Sequence, residues 1–232
     1  MLKTIWFTIT LFITLSASTT LASEEGDELA QQMLERLGGK SKWAALKNTI
    51  NGSMQYRSTA PTAVYAVITM DFTKPRIRFD TTATDINLIR VINGSSSWRI
   101  SWSGQVEDLP AESLEQDLAW YQAHLYRTIH RIAIEDPKLT LKVSNTNQLD
   151  VFSGESRLIW FRLTQDAEPY AFGVRDDENG SLSGPWIVER NGIRHPAWVS
   201  SHDGTWRAAI RSLEINVPLH DSTFRRPESE SK

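Results

Sequence analysis

Cysteine is absent from this chain of 232 residues. Its absence excludes disulfide bonds, thiol catalysis, thiolate metal sites and a lipid-modified N-terminal cysteine. An excess of basic residues is missing as well, since the formal net charge is -3 and no basic block is present to neutralise phosphates. We therefore expect no nucleic-acid partner. The hydrophobic content of 40% is enough for one domain with a substantial core.

Motifs for catalysis and cofactor binding are also missing. The segment 154–158 (GESRL) lacks the last glycine of a nucleophile elbow. We find no glycine-rich phosphate loop and no zinc-protease motif. We therefore expect a protein that is not an enzyme and has no cofactor.

The histidines do not have the spacing of a joint metal site. Two of them, His124 and His130, are six positions apart and lie about 240° apart around a helix. We expect all five histidines at the surface, while a histidine–aspartate metal pair on the sheet stays open: His124, His130, His195, His202 and His220.

The first residues have the layout of a secretory signal peptide. Lys3 precedes an apolar run at 5–15, and small residues fill 16–22. The run is about half of the roughly 20 residues that span a bilayer. We predict a signal peptide at 1–22 with cleavage near Ala22, and a single domain at 23–232. The mature product should be periplasmic, soluble and monomeric.

Residues 74–102 organise the predicted sheet. Ile77 and Phe79 alternate with charged residues, as in a half-buried strand. A second apolar run, 88–92, leads into Asn93-Gly94, which favours a reversal between strands. Trp98 then resumes the alternation. We predict an antiparallel meander with large apolar side chains on one face, preceded by a strand at 63–72.

Helices and further hairpins surround this meander. We predict a helix at 24–37 with acidic residues in its first turn, a short helix near Trp43, and one long helix at 111–135 that packs on the sheet. Asn51-Gly52 indicates a bulge in the first strand. Later hairpins are predicted at Asn179-Gly180, Asn191-Gly192 and Asp203-Gly204. The fold class is therefore α+β, with helices on one side of an antiparallel sheet.

Three segments resemble the LolA/LolB-like superfamily of lipoprotein-sorting carriers. They are the strand that ends at Lys74-Pro75 and leads to Phe79, the hairpin at 89–98 (IRVINGSSSW), and the ending at 210–227. The resemblance covers roughly 29–227. It implies an incomplete antiparallel β-barrel, a strongly curved sheet whose open side is covered by helices. The buried lid-binding arginine of the carriers has three possible counterparts here, Arg57, Arg76 and Arg78.

An apolar cavity between sheet and helices is a further implication of the resemblance. Such carriers hold the acyl chains of a lipid or lipoprotein there, in exchange with inner- and outer-membrane partner proteins. Tryptophan, at 9 residues, favours core packing for each ring and a lining role for some of the set. We expect the lining to come from Ile68, Met70, Phe72, Phe79, Trp98, Trp102, Leu125 and Trp160.

The sequence thus favours a non-catalytic periplasmic carrier of a lipid or acylated ligand, which would contribute to outer-membrane biogenesis. A sensor or interaction module on the same fold, reporting lipid state to a membrane partner, is the alternative. A third interpretation, an envelope hydrolase, has no catalytic residues in its favour.

Overall fold

The structure, a computed structural model, describes residues 13–60, 62–188 and 191–228. Residues 1–12 of the predicted signal peptide lie outside this part of the chain. The helices are α1 (Ile13–Arg36), α2 (Lys40–Ala44), α3 (Ala111–Ala123), α4 (Leu125–Ala133) and a 3₁₀ helix, Asp221–Phe224.

Helix α1 differs from its prediction at one end and matches it at the other. It begins at Ile13 rather than at Glu24, so the acidic residues lie within the helix and not in its first turn. Its C-terminus is a Schellman motif, in which Gly39 N donates to Leu34 O and Gly38 N to Glu35 O. Gly38 has a φ of 109°, and a Cβ there would lie 2.2 Å from Gly192 O. Glycine is therefore required at this stop.

Helices α3 and α4 replace the single long helix predicted at 111–135. His124 has φ -62° and ψ 135°, an extended conformation that ends α3. Its carbonyl oxygen accepts a hydrogen bond from Thr128 N and so begins α4. The break sends α4 against α1 and α2, whereas α3 runs along the sheet. The helix pair therefore packs on helices as well as on strands.

The described residues contain fifteen strands. The first six are β1 (Asn48–Arg57), β2 (Val64–Asp71), β3 (Arg76–Ala83), β4 (Ile86–Asn93), β5 (Trp98–Ile100) and β6 (Val106–Asp108). The others are β7 (Leu139–Asn145), β8 (Gln148–Ser153), β9 (Ser156–Leu163), β10 (Pro169–Val174), β11 (Ser181–Ser183), β12 (Trp186–Val188), β13 (Arg194–Pro196), β14 (Trp198–Ser201) and β15 (Trp206–Ile215).

Thirteen of these strands make one antiparallel sheet that does not close on itself. Its order is β6-β5-β4-β3-β2-β1-β15-β14-β11-β10-β9-β8-β7, and β12 and β13 form a separate hairpin. Helix α3 contacts both β4 and β9, the third and eleventh strands of this order, which indicates that the sheet curves around the helix. The predicted α+β class and the predicted meander β3-β4-β5 are confirmed.

A bulge in the β1–β15 ladder changes the face of the sheet to which the side chains of β15 point. Ser53 pairs with Ile210, whereas Gly52 pairs with Ser212, so Arg211 is the extra residue. The predicted bulge is therefore present beside Asn51-Gly52, with its extra residue on the partner strand. Because a bulge shifts the side-chain alternation by one, Ile210 and Leu213 point to the same face of the sheet.

That face, which the helices cover, we call the inner face. Over part of it, α1, α2 and α4 pack on strands and bury an apolar cluster that we call the helix-covered core. Its members include Met33, Leu37, Trp43, Tyr126, Ile129, Leu149, Phe161 and Leu213. A smaller cluster beneath α3 joins Met70, Ile77, Ile92 and Tyr121.

The opposite, outer face has its own small cluster near β4 and β5. Val91, Trp98 and Phe224 are buried together there, and the 3₁₀ helix covers β3 and β4. Trp98 Nε1 donates a hydrogen bond of 3.1 Å to Phe224 O. The C-terminal segment thus seals the outer face with an aromatic anchor.

Candidate ligand-binding cavity

A cavity of about 730 Å³ opens on the inner face beside the helix-covered core. Eight strands that are consecutive in the sheet order, from β4 to β10, contribute side chains to its wall. Helices α3 and α4, with residues on both sides of the break at His124, and Pro196 of β13 supply the remaining wall. Its volume lies within the roughly 300–1,000 Å³ of typical small-molecule pockets.

Three of the eight predicted lining residues lie in this wall: Ile68 on β2, Phe79 on β3 and Leu125 at the start of α4. Ile68 and Phe79 are direct cross-strand partners, which places their side chains on one face. Both side chains therefore point to the inner face of the sheet.

Met70 and Phe72 share that face but lie beyond the end of the cavity. Met70 is 0% exposed and packs with Tyr121 of α3. Phe72 packs beside it, and its ring stacks on His130 at 5.3 Å. The Tyr121 hydroxyl closes this end by donating a hydrogen bond of 2.7 Å to Asp71 O. The structure therefore places both residues in the core.

The three predicted tryptophans lie elsewhere. Trp98 pairs with Val91, which follows the cavity residue Arg90 and so points to the outer face. Trp160 is also on the outer face, where it pairs with Gly173 and donates a hydrogen bond of 2.9 Å to Asp177 O. Trp102 follows β5 and is 74% exposed. Strand parity, which the prediction did not resolve, decides the first two.

Two other tryptophans line the cavity, Trp120 on α3 and Trp206 on β15. Helical spacing did not identify Trp120, because five positions place it about 140° from Leu125 around a continuous helix. The break at His124 brings both residues to the cavity. Trp206 follows the Asp203-Gly204 turn, and its face depends on the bulge at Arg211. The sequence alone did not specify that bulge's extra residue.

An array of rings lines the α3–α4 side of the cavity. The Phe79 and Trp120 rings are 5.3 Å apart, and Trp120 and His124 meet edge to face at 4.6 Å. His124 in turn meets Tyr126 edge to face at 5.4 Å. These separations are typical of favourable aromatic pairs. The array gives the cavity a rigid apolar wall.

One ion pair spans the cavity wall. Arg90 Nε lies 2.7 Å from Asp117 Oδ2, and the guanidinium lies 4.5 Å above the Phe79 ring. Burial raises the pKa of Asp117, and the charge of Arg90 opposes that shift. The pair therefore joins α3 to β4 with its charges compensated.

Two polar side chains of the wall have a buried atom without a hydrogen-bond partner. Asn51 Oδ1 and His124 Nδ1 are buried, and neither atom has a hydrogen-bond partner among the described residues. Burial lowers the pKa of His124 to about 3, and the nearby Arg127 charge acts in the same direction. The imidazole is therefore neutral at physiological pH.

The prediction that all five histidines lie at the surface is wrong. His195 is buried, and the surroundings of His124 and His130 keep their imidazoles largely from water. His130 Nδ1 lies 2.9 Å from Trp43 O, and burial lowers its pKa. Only His202 and His220 are exposed. The break at His124 turns the two helical histidines inward on different elements.

Within 13–60, 62–188 and 191–228, no cluster of histidine, aspartate and glutamate side chains is suited to hold a metal ion. None of the helices there has the length and apolar character to cross a membrane.

Comparisons with known proteins give a neighbour in fold alone. No family model matches the chain, and no curated protein does. Among solved structures, the chain is similar to a DUF1329 family protein from Desulfovibrio piger, at a TM-score of 0.46 and 8% sequence identity. The match covers 88% of this chain and 97% of that protein.

Proposed function

We propose that this protein is a non-catalytic carrier or binding protein for a lipid or acylated ligand, held in the cavity on the inner face. The observation that carries the proposal is the cavity itself, about 730 Å³ of space within an otherwise packed face. Packed interiors leave few voids larger than a water molecule, so a space of this size calls for an occupant.

The nature of the wall supports an apolar occupant. Ile68, Phe79, Trp120, Leu125 and Ile210 present aliphatic and aromatic surface to the cavity. Each buried methylene contributes about 0.8 kcal/mol, so roughly ten methylenes of one acyl chain would contribute about 8 kcal/mol before association costs. Micromolar affinity is thus within reach of one or two chains.

The wrapping of the sheet supports the same proposal. A curved open sheet, with α3 contacting strands near both of its ends, suits an incomplete barrel of the LolA/LolB-like kind, with α3 and α4 over its open side. In this proposal the protein works in the periplasm after export and exchanges its cargo with membrane partners.

Native mass spectrometry would test the proposal most directly. The protein would be purified from its exported compartment and measured before and after extraction with organic solvent. We expect a bound mass that the solvent removes. The extracted protein should then take up a fluorescent C16 fatty acid with micromolar affinity. A protein that arrives empty and takes up nothing would overturn the proposal, as would robust hydrolysis of lipid esters.

A pair of matched variants locates the binding site. Ile68→Glu places a carboxylate in the cavity wall, and we expect it to weaken uptake at least tenfold, since a buried charge without a partner is costly. Ile187→Glu makes the same change at an exposed position outside the wall and should leave uptake unchanged. Equal uptake by both variants would mean that the ligand binds elsewhere.

A further inference from the structure

On strand β1 the polar side chains point inward to the cavity and the apolar side chains point outward, which is the reverse of the usual arrangement. Its apolar residues Ile50, Met54 and Tyr56 point to the outer face, whereas Asn51, Ser53 and Gln55 point into the cavity. The hydrophobic effect would favour the opposite register, in which the apolar residues face inward. The pairing of β1 with β2 and β15 fixes the observed register from Asn48 to Arg57.

Apolar rows flank this polar row on both sides. On β2, Ala66 and Ile68 pair with Ser53 and Asn51, and on β15, Ile210 pairs with Ser53. The cavity is therefore amphipathic, with the polar row of β1 between the apolar rows of β2 and β15 and the aromatic array on the helix side. A bare hydrocarbon would cover the polar row without giving it hydrogen bonds.

Buried polar atoms without partners are concentrated in this cavity. Four such side-chain atoms occur in the described part of the chain, and three belong to residues of the cavity wall. One of the three, Asp117 Oδ2, has the Arg90 guanidinium 2.7 Å away. The other two, Asn51 Oδ1 and His124 Nδ1, remain. Nearly all buried polar groups in native proteins are hydrogen-bonded, so these two indicate a missing polar partner.

Both remaining atoms belong to neutral groups. An amide oxygen accepts a hydrogen bond, and a neutral imidazole can donate through one nitrogen and accept through the other. The charged pair beside them, Arg90 with Asp117, is already compensated. A ligand anion beside Asn51 would face an acceptor oxygen and the Asp117 carboxylate, and the second arginine of the wall, Arg57, lies at the exposed end of β1. A hydroxyl group, by contrast, can both donate and accept.

From these contacts we infer that the ligand is an amphiphile whose neutral, hydroxyl-bearing polar part enters the cavity and bonds to Asn51 and His124. Its apolar part lies against Ile68, Phe79 and Leu125. The inference rests on the proposed function and narrows it from lipids in general to those with a neutral hydroxyl group in the buried portion.

A series of ligands with one chain length tests the inference. Dodecan-1-ol, dodecane and dodecanoate would be titrated calorimetrically into solvent-extracted full-length protein at pH 7. We expect the alcohol to bind about tenfold more tightly than the alkane, the factor that one buried hydrogen bond supplies. Dodecanoate should bind more weakly than the alcohol.

Variants connect this preference to the two residues. Asn51→Leu and His124→Phe should each reduce the advantage of the alcohol to within about threefold and leave the affinity for dodecane equal or higher. Asn87→Leu, an exposed change on β4 outside the wall, should preserve the tenfold preference. Loss of the preference in this control would contradict the assignment.

The outcomes separate this inference from the function on which it rests. Equal binding of alcohol and alkane would overturn the hydroxyl inference while still supporting a lipid carrier. Tightest binding of dodecanoate, lost in Arg57→Gln, would also overturn it, in favour of an anionic head group at the exposed end of β1. Binding of none of the three would overturn both.

Discussion

The inner face of one sheet has two parts that differ in how they are filled. Across β7–β9 and the C-terminal half of β15, helices α1, α2 and α4 bury an apolar cluster, and α3 buries a smaller one around Met70. Beside these clusters, the strands from β4 to β10 in the sheet order and helices α3 and α4 line about 730 Å³ of space. The two parts share strands, so the difference lies in what covers them.

Two asparagines on β1, which point to opposite faces of the sheet, differ in whether the chain itself satisfies their side chains. Asn48 bonds Val217 twice, through Nδ2 to the carbonyl oxygen at 2.9 Å and through Oδ1 from the amide at 3.1 Å. Asn51, three positions along, has a buried Oδ1 with no partner among the described residues. The chain therefore satisfies the Asn48 side chain itself, whereas the buried oxygen of Asn51 in the cavity wall stays available to a ligand.

Truncating one side chain in each part should give the largest difference. Met70→Ala opens a void in the cluster beneath α3 and should lower the free energy of unfolding by about 3 kcal/mol. Ile68→Ala only enlarges an existing cavity and should cost less than about 1.5 kcal/mol. Urea denaturation of both variants measures this. Equal losses would mean that Ile68 is packed as core.

Acidification should weaken the border between the two parts, where His124 lies. Its pKa is lowered from 6.5 to about 3 by burial, so between these values the unfolded chain binds a proton that the folded chain does not. The free energy of unfolding therefore falls as pH falls. From pH 7 to pH 4.5 the loss from this residue should reach at most about 2.7 kcal/mol.

Denaturation of wild type and His124→Gln at these two pH values checks this prediction. The variant should lose less on acidification, whereas His220→Gln, at an exposed position, should behave as wild type. His130, whose pKa burial also lowers, contributes in the same direction in all three proteins. Identical losses in wild type and His124→Gln would show that the imidazole ionises freely in the folded state.

The asparagine pair gives the smallest expected effect. Asn48→Ala removes two hydrogen bonds and leaves Val217 without partners, at a cost of about 1–2 kcal/mol. Asn51→Ala removes no hydrogen bond and relieves a buried orphan acceptor, so unliganded stability should change by less than about 0.5 kcal/mol. Thermal unfolding of the solvent-extracted proteins measures both. A similar loss in Asn51→Ala would indicate an internal partner.

Much of the fold followed from local sequence. The turn dipeptides Asn93-Gly94, Asn179-Gly180 and Asp203-Gly204 all lie between strands, and Gly38-Gly39 ends α1 as expected. These signals depend on backbone geometry that glycine permits and other residues resist. The strand alternation that placed Ile68 and Phe79 together is equally local, because it needs only the two-residue period.

Other features had no local signal. The break at His124 contains neither proline nor glycine. Only the packing of α4 on α1 and α2 explains why the helix is interrupted there. Trp98 and Trp160 are large aromatic residues of the kind that line cavities. Their positions in the strand alternation nevertheless place both side chains on the outer face. The reversed polarity of β1 contradicts the hydrophobic pattern itself.

The sequence by itself determined that this is an α+β protein without cysteine. Its Asn-Gly and Asp-Gly dipeptides indicate the turns of the antiparallel sheet, and the two-residue period of apolar residues indicates the strands. Only the tertiary structure decided which half of the inner face is core and which is cavity. The reason is physical: alternation specifies two faces, but the face that is filled depends on where distant helices come to rest and on a single extra residue, Arg211, in the β1–β15 ladder.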